Sequence, residues 1–275
     1  MTLSEMAIDV LKTSDPHEKA RKTQRFVAKY IENDDILIGL SDVPDRPNRP
    51  DTPILCPPSQ MPKRGKGGSE KAKIALLHAL AHIELNAIDL SWDIIARFAY
   101  LNDENRNEGE FSLPRAFFDD WCNVARDEAK HFLMLSERLA SLGAAYGDLP
   151  AHDGLWESAE KTAHDIAARL AVVPMVLEAR GLDVTPSMIQ SMKSQNDHIT
   201  ADLLQIIHDE EITHVGAGTR WFKHYCDFYD KNIETTWQAL VNHYFNGVLK
   251  RPFNDDSREK AGMIRDWYEK LADAM

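Results

Sequence analysis

Two glutamate and histidine pairs at three-residue spacing, Glu128-x-x-His131 and Glu211-x-x-His214, are the positions in this sequence best suited to chemistry. A helix turns about 100° per residue, so partners three apart stand about 60° apart on one face. A carboxylate oxygen and an imidazole nitrogen then reach the same cation. With 18 glutamates and 11 histidines among 275 residues, one such pair arises by chance about 0.7 times, so the pattern needs context.

The context is order along the chain. Glu84 stands alone on a first long apolar helix, Glu128 and His131 sit mid-way along a second, Glu178 lies near the end of a third, and Glu211 and His214 sit on a fourth. A glutamate from each of two helices with Glu-x-x-His from the other two is the ligand arrangement of ferritin-like di-iron and di-manganese carboxylate bundles. The two halves read as a loose repeat. Four carboxylates buried around one point would repel one another and each would cost several kcal/mol unpaired. Two divalent cations remove that penalty, and with neutral imidazoles the set suits iron or manganese. The competing reading is core residues satisfied by lysine, arginine or backbone groups. Asp127 and Glu210, each just before a ligand glutamate, are candidates to accept from a ligand imidazole and fix its tautomer. His208, one turn before Glu211, is a further candidate beside the ligands, whereas His82 lies about 200° around its helix from Glu84 and faces away.

The elements that must position these residues follow from hydropathy and punctuation. Residues 5–33 read as one weakly amphipathic helix. Prolines at 44, 47, 50, 53, 57, 58 and 62 then remove backbone donors and fix φ, giving an extended wrapping arm. Ser69 and Glu70 open a helix to about Tyr100 with Leu77, Ala81, Glu84, Ile88, Ser91 and Ile95 on one face. Pro114 opens the next, which carries Phe117, Trp121, Val124, Glu128, His131 and Leu135 and ends over 143–150. A third helix is expected from about Trp156 to Arg180, closed by Gly181 and kinked at Pro174, with Thr185 and Pro186 starting the fourth. That fourth region runs to about Tyr229, interrupted near Asn196 and Asp197, and two shorter helices near 233–246 and 256–274 follow. Small residues at Ala81, Ala87, Ser91, Ala163, Ala167 and Ala171 fit a cavity beside the ions and close helix packing equally. The fold class expected is all-α, a four-helix bundle over 67–230 with an N-terminal helix and arm at 1–66 and a C-terminal helical extension at 231–275.

Composition narrows the rest. Apolar residues make up 43%, and no uninterrupted apolar run approaches the roughly 18 residues of a membrane span. The N-terminus lacks the pattern of a secretory signal, so the cytoplasm is the simplest address. Cys56, Cys122 and Cys226 are odd in number and far apart, which argues against disulfides or a thiolate site. A net charge of −12 disfavours nucleic acid over most of the surface. The local exception is PKRGKGGSEKAK at 62–73, a solvated loop or an anion or RNA contact.

The segments PPSQMPKRG, HALAHIELNAIDL, DEAKHF, VLEARGLDVTP, HDEEITHV and LKRPFNDDSRE resemble the ferritin-like family catalogued as domain of unknown function number 455, over most of the chain. The resemblance implies a di-metal helical bundle with the six ligands Glu84, Glu128, His131, Glu178, Glu211 and His214. It relates the chain to ferritins, ribonucleotide reductase small subunits, bacterial multicomponent monooxygenases and a tRNA-modifying hydroxylase. Lys130 and Thr213 stand where radical-forming relatives often carry arginine before the ligand histidine, a departure from their pattern. The expectation is a di-iron oxidoreductase, with manganese or a mixed pair as the other options. It would use O2 as co-substrate, a small organic substrate and an external electron donor, as a monomer or homodimer. Ferroxidase or peroxide-detoxifying metal handling, tRNA hydroxylation, and a scaffold with a relic site are the rivals.

Overall fold

The computed structural model describes residues 1–57, 60 and 69–274. Most of the basic 62–73 cluster therefore lies outside the described residues. Among the described residues the chain is helical, and no strand forms beyond two isolated bridges, Leu55 with Ala151 and Asn102 with Leu113. It divides into two compact units, Met1–Trp156 and Glu157–Met275. The boundary lies inside the 67–230 span and within α5 (Gly154–Lys161).

In the first unit the expected single helix over 5–33 is two, α1 (Leu3–Leu11) and α2 (Pro16–Ile31). The break has a local cause: Asp15 accepts from the Glu18 amide at 2.7 Å, and Pro16 has no amide hydrogen to carry α1 onward. Ser69 caps α3 (Glu70–Arg97) by accepting from the Ala72 amide at 3.2 Å, and α4 (Arg115–Ser141) follows. Gly143, at φ +72°, turns the chain away from α4.

One face of α3 carries Glu84; around the helix runs a second stripe, His78, His82, Asn86, Asp89 and Asp93, polar yet fully buried. Its partners explain the arm. Lys19 of α2 forms a buried ion pair with Asp89, Arg49 of the arm donates to Asn86 Oδ1 at 2.7 Å, and Arg97 donates to the Pro44 carbonyl at 3.0 Å. The proline-rich segment cannot form its own secondary structure, and these bonds hold it extended along α3. Among the described residues α3 is also the one helix long and apolar enough to cross a membrane, but 67% of its most apolar stretch is buried inside the protein.

In the second unit α6 (Ile166–Val172) opens at Asp165, which accepts from the Ala167 and Ala168 amides. It widens into a π-helical turn over Val173–Glu178 and continues as α7 (Ala179–Ser194). The helix therefore does not close at Gly181, nor does a new one start at Thr185 and Pro186. Pro186 leaves the Leu182 carbonyl without its usual donor, and Asn254 Nδ2 supplies one at 3.1 Å. The true break is at Asn196, φ +59°, with Asp197 capping the Thr200 amide at 3.0 Å to start α8 (His198–Phe228). Beyond α9 (Ile233–Tyr244) the last expected helix is also two, α10 (Asp255–Lys260) and α11 (Arg265–Ala274), parted at Gly262, φ +80°. Asp183 fixes this end: it accepts from Arg258 at 2.8 and 2.7 Å and from the Asn254 amide at 2.9 Å.

Candidate metal centre

In the first unit the structure brings Glu84, Glu128 and His131 together. All three are buried, at 3%, 0% and 0% exposure. His131 Nδ1 lies 3.2 Å from Glu84 Oε2 and 3.8 Å from Glu128 Oε2. One ligand atom from each falls within 4.8 Å of the others. Burial pushes the Glu84 carboxyl well above the usual carboxylate range, and the neighbouring Glu128 charge pushes it further, while the His131 contact opposes. Two carboxylates sharing a dry site in this way resist ionising together, and a cation reverses that preference.

The second unit carries the other Glu-x-x-His pair on a second helical hairpin. Glu211 and His214 sit on the buried face of α8, with His214 Nδ1 3.5 Å from Glu211 Oε1. The short turn at 195–197 makes α7 and α8 antiparallel neighbours. Pro174 in the π turn abuts Gly218 of α8 so closely that a Cβ on Gly218 would lie 2.4 Å from the proline ring. Glu178 lies one turn beyond Pro174 and His214 one turn before Gly218, so antiparallel counting sets them level. Proline at 174 also explains the wide turn: it has no amide hydrogen to give the Leu170 carbonyl, and the next carbonyl, that of Ala171, accepts from Trp237 Nε1 at 3.1 Å. Glu178 itself is half-buried at the end of this turn.

The residues expected beside the ligands are placed less uniformly. Asp127 lies 3.7 Å from Arg126 Nε and 3.5 Å from Lys130 Nζ on its own helix. Glu210 is half-buried, and its carbonyl accepts from Thr213 Oγ1 at 2.7 Å. His208 Nε2 lies 3.3 Å from Ser257 Oγ on α10, and burial pushes its pKa down. His82 faces away from Glu84: the Tyr146 hydroxyl donates to Nδ1 at 2.8 Å and Nε2 donates to the His152 carbonyl at 3.1 Å. Burial, with Arg49 nearby, lowers its pKa to about 3, so it is neutral.

The residues that set this frame are not among those that type and spacing single out. Asp89 and Asp93 recur with His82 and Asn86 at helical spacing, a signal that α3 has a second buried face. Lys19 and Arg49, which meet that face, and Asn254 and Arg258, which hold α7, carry no local signal because their partners are far away in the chain.

A family described as "Protein of unknown function (DUF455)" matches residues 12–269. An uncharacterized protein of Haemophilus influenzae is 38% identical over 266 residues, which cover 94% of this chain and 90% of that protein. No solved structure matches the chain. Both matches take in the two glutamate and histidine hairpins and nearly everything around them, and the chain belongs to the DUF455 family.

Proposed function

We propose that this protein is a non-haem di-metal oxidoreductase, with iron the leading metal and manganese or a mixed pair the alternatives. It would use O2 to oxidise or hydroxylate a small organic substrate. The observation that carries the reading is the buried trio of Glu84, Glu128 and His131, with ligand atoms within 4.8 Å of one another, on a hairpin whose ligand pattern recurs at Glu178, Glu211 and His214. In this ferritin-like reading the six side chains hold two ions, and four carboxylates offset their charge. The donor set fits: oxygen-rich with imidazole, no thiolate, and no position that demands a softer metal. When bound, such a pair supplies Lewis acidity and the electrons that reduce O2, with an external donor restoring them.

The chain's own residues do the remaining work. His131 and His214, both fully buried, would ligate as neutral imidazoles. Leu77, Ile88, Trp121 and Leu135, all buried on the same two helices, keep water from the site and raise the strength of every charge interaction in it. The test is oxygen uptake by the full chain loaded with Fe(II) without air. Uptake in proportion to loaded iron, lost in Glu128→Gln, supports the reading. Iron oxidation inside a large hollow assembly would favour metal handling instead, and no uptake at all would reject both.

A further inference from the structure

We propose a second binding site, for a phosphorylated small molecule, in the groove between α8 and the turn joining α10 to α11. It is built wholly within the second unit and does not depend on the metal reading. Thr219 and Lys223 in its wall follow His214 by five and nine residues, which sets them about 140° and 180° around α8 from that imidazole. The groove is thus on the opposite side of the helix from the ligand face.

Three features indicate what it takes. The first is charge: in a chain of net charge −12, Arg220, Lys223, His224 and Lys260 line this one cavity against a single acid, Asp227. Neither Lys223 nor Lys260 has an ion-pair partner among the described residues, so a monoanion would leave cationic charge uncompensated and a polyanion would not.

The second is order. Lys223 Nζ donates to the Gly262 carbonyl at 3.0 Å and stands 5.5 Å from the Trp267 ring centre, while the Arg220 guanidinium lies 4.7 Å from the Trp221 ring centre. Both cationic heads are held in place before a ligand arrives, and the ammonium retains two further N–H donors.

The third is room. The cavity measures about 480 Å³, enough for a phosphate and an organic moiety. Gly216 lies in its lining in mid-helix, where glycine weakens α8, yet a Cβ there would meet nothing nearer than Ala261 Cα at 3.9 Å. Packing does not require that glycine; an open groove floor does. Phosphate oxygens accepting from Arg220 and Lys223, with Lys260 completing the charge, are the contacts this geometry offers.

The probe is inorganic pyrophosphate, titrated calorimetrically into the full chain at low ionic strength. The expected result is one saturable site per chain, weakened about tenfold in each of Arg220→Gln and Lys260→Gln and abolished by Gly216→Leu. Binding should be unchanged in Glu128→Gln. Lys260 is exposed, so its variant folds and keeps the test decisive. No saturable binding, affinity in Arg220→Gln and Lys260→Gln unchanged from the parent chain, or loss in Glu128→Gln, which would place the anion on bound metal, each overturns the proposal.

Discussion

Gly216 and Gly218, two residues apart on α8, should respond to alanine in opposite directions. At Gly218 the new methyl would lie 2.4 Å from Cβ and Cγ of Pro174. Ordinary carbon contacts are about 3.5–4.0 Å, so α8 and the π turn must part by about 1 Å. The proline ring is fixed to its backbone and cannot rotate aside. Overpacking of this kind costs about 1–3 kcal/mol, offset by about 1 kcal/mol because alanine is the better helix former. A net loss of up to about 2 kcal/mol is expected. At Gly216 the nearest atom is 3.9 Å away, so only the helix gain remains, and stability should rise by about 0.5–1 kcal/mol. Urea unfolding of both variants beside the parent chain measures the difference, and unchanged slopes would show that the exposed surface is the same. Because Glu178 and His214 flank the Pro174 and Gly218 contact, Gly218→Ala should also weaken metal retention while Gly216→Ala leaves it alone. A Gly218→Ala protein as stable as Gly216→Ala would refute the close approach and the antiparallel register built on it.

Asp183→Ala leaves Arg258, 2% exposed, without its carboxylate, and should lower unfolding stability by about 3–5 kcal/mol in chemical denaturation; a loss under 1 kcal/mol would contradict the buried pairing. Asn254→Ala removes the donor to Leu182 and the cap of α10, so a loss of about 1–3 kcal/mol is expected, with increased amide exchange near Pro186. His82 titrates at about 3 when folded and near 6.5 when unfolded, so the unfolded chain takes up a proton that the folded chain refuses. Its contribution is complete above 6.5 and is lost as pH falls towards 3, by up to about 1.4 kcal/mol per pH unit. Between pH 6.5 and 5 the stability of His82→Gln should therefore fall less steeply than that of the parent, and equal slopes would refute the neutral buried imidazole.

The long helices were legible because each carries an apolar stripe broken by ionisable residues at helical spacing, and the grouping of Glu84 with Glu128 and His131 followed from it. The helix ends were less so. Asp15 with Pro16 is a start signal submerged in a polar stretch, where hydropathy alone does not separate α1 from α2. Gly181 and Pro186 are stop signals that the structure overrides, because Asn254, 72 residues from Leu182, supplies the missing donor. No local pattern encodes a bond of that range. Gly262 parts α10 from α11 for the ordinary reason that it adopts a left-handed conformation. The second buried face of α3 was half legible: His82 was expected to face away from Glu84, but the cations that satisfy Asp89 come from α2 and the arm.

The most direct test of the central claim is the metal content of the full chain purified without added metal, by elemental analysis, beside Glu128→Gln and Glu211→Gln. About two ions of iron or manganese per chain are expected, depleted in both variants although each remains folded. A metal-free parent protein that takes up neither ion on reconstitution, or full occupancy in both variants, would contradict it.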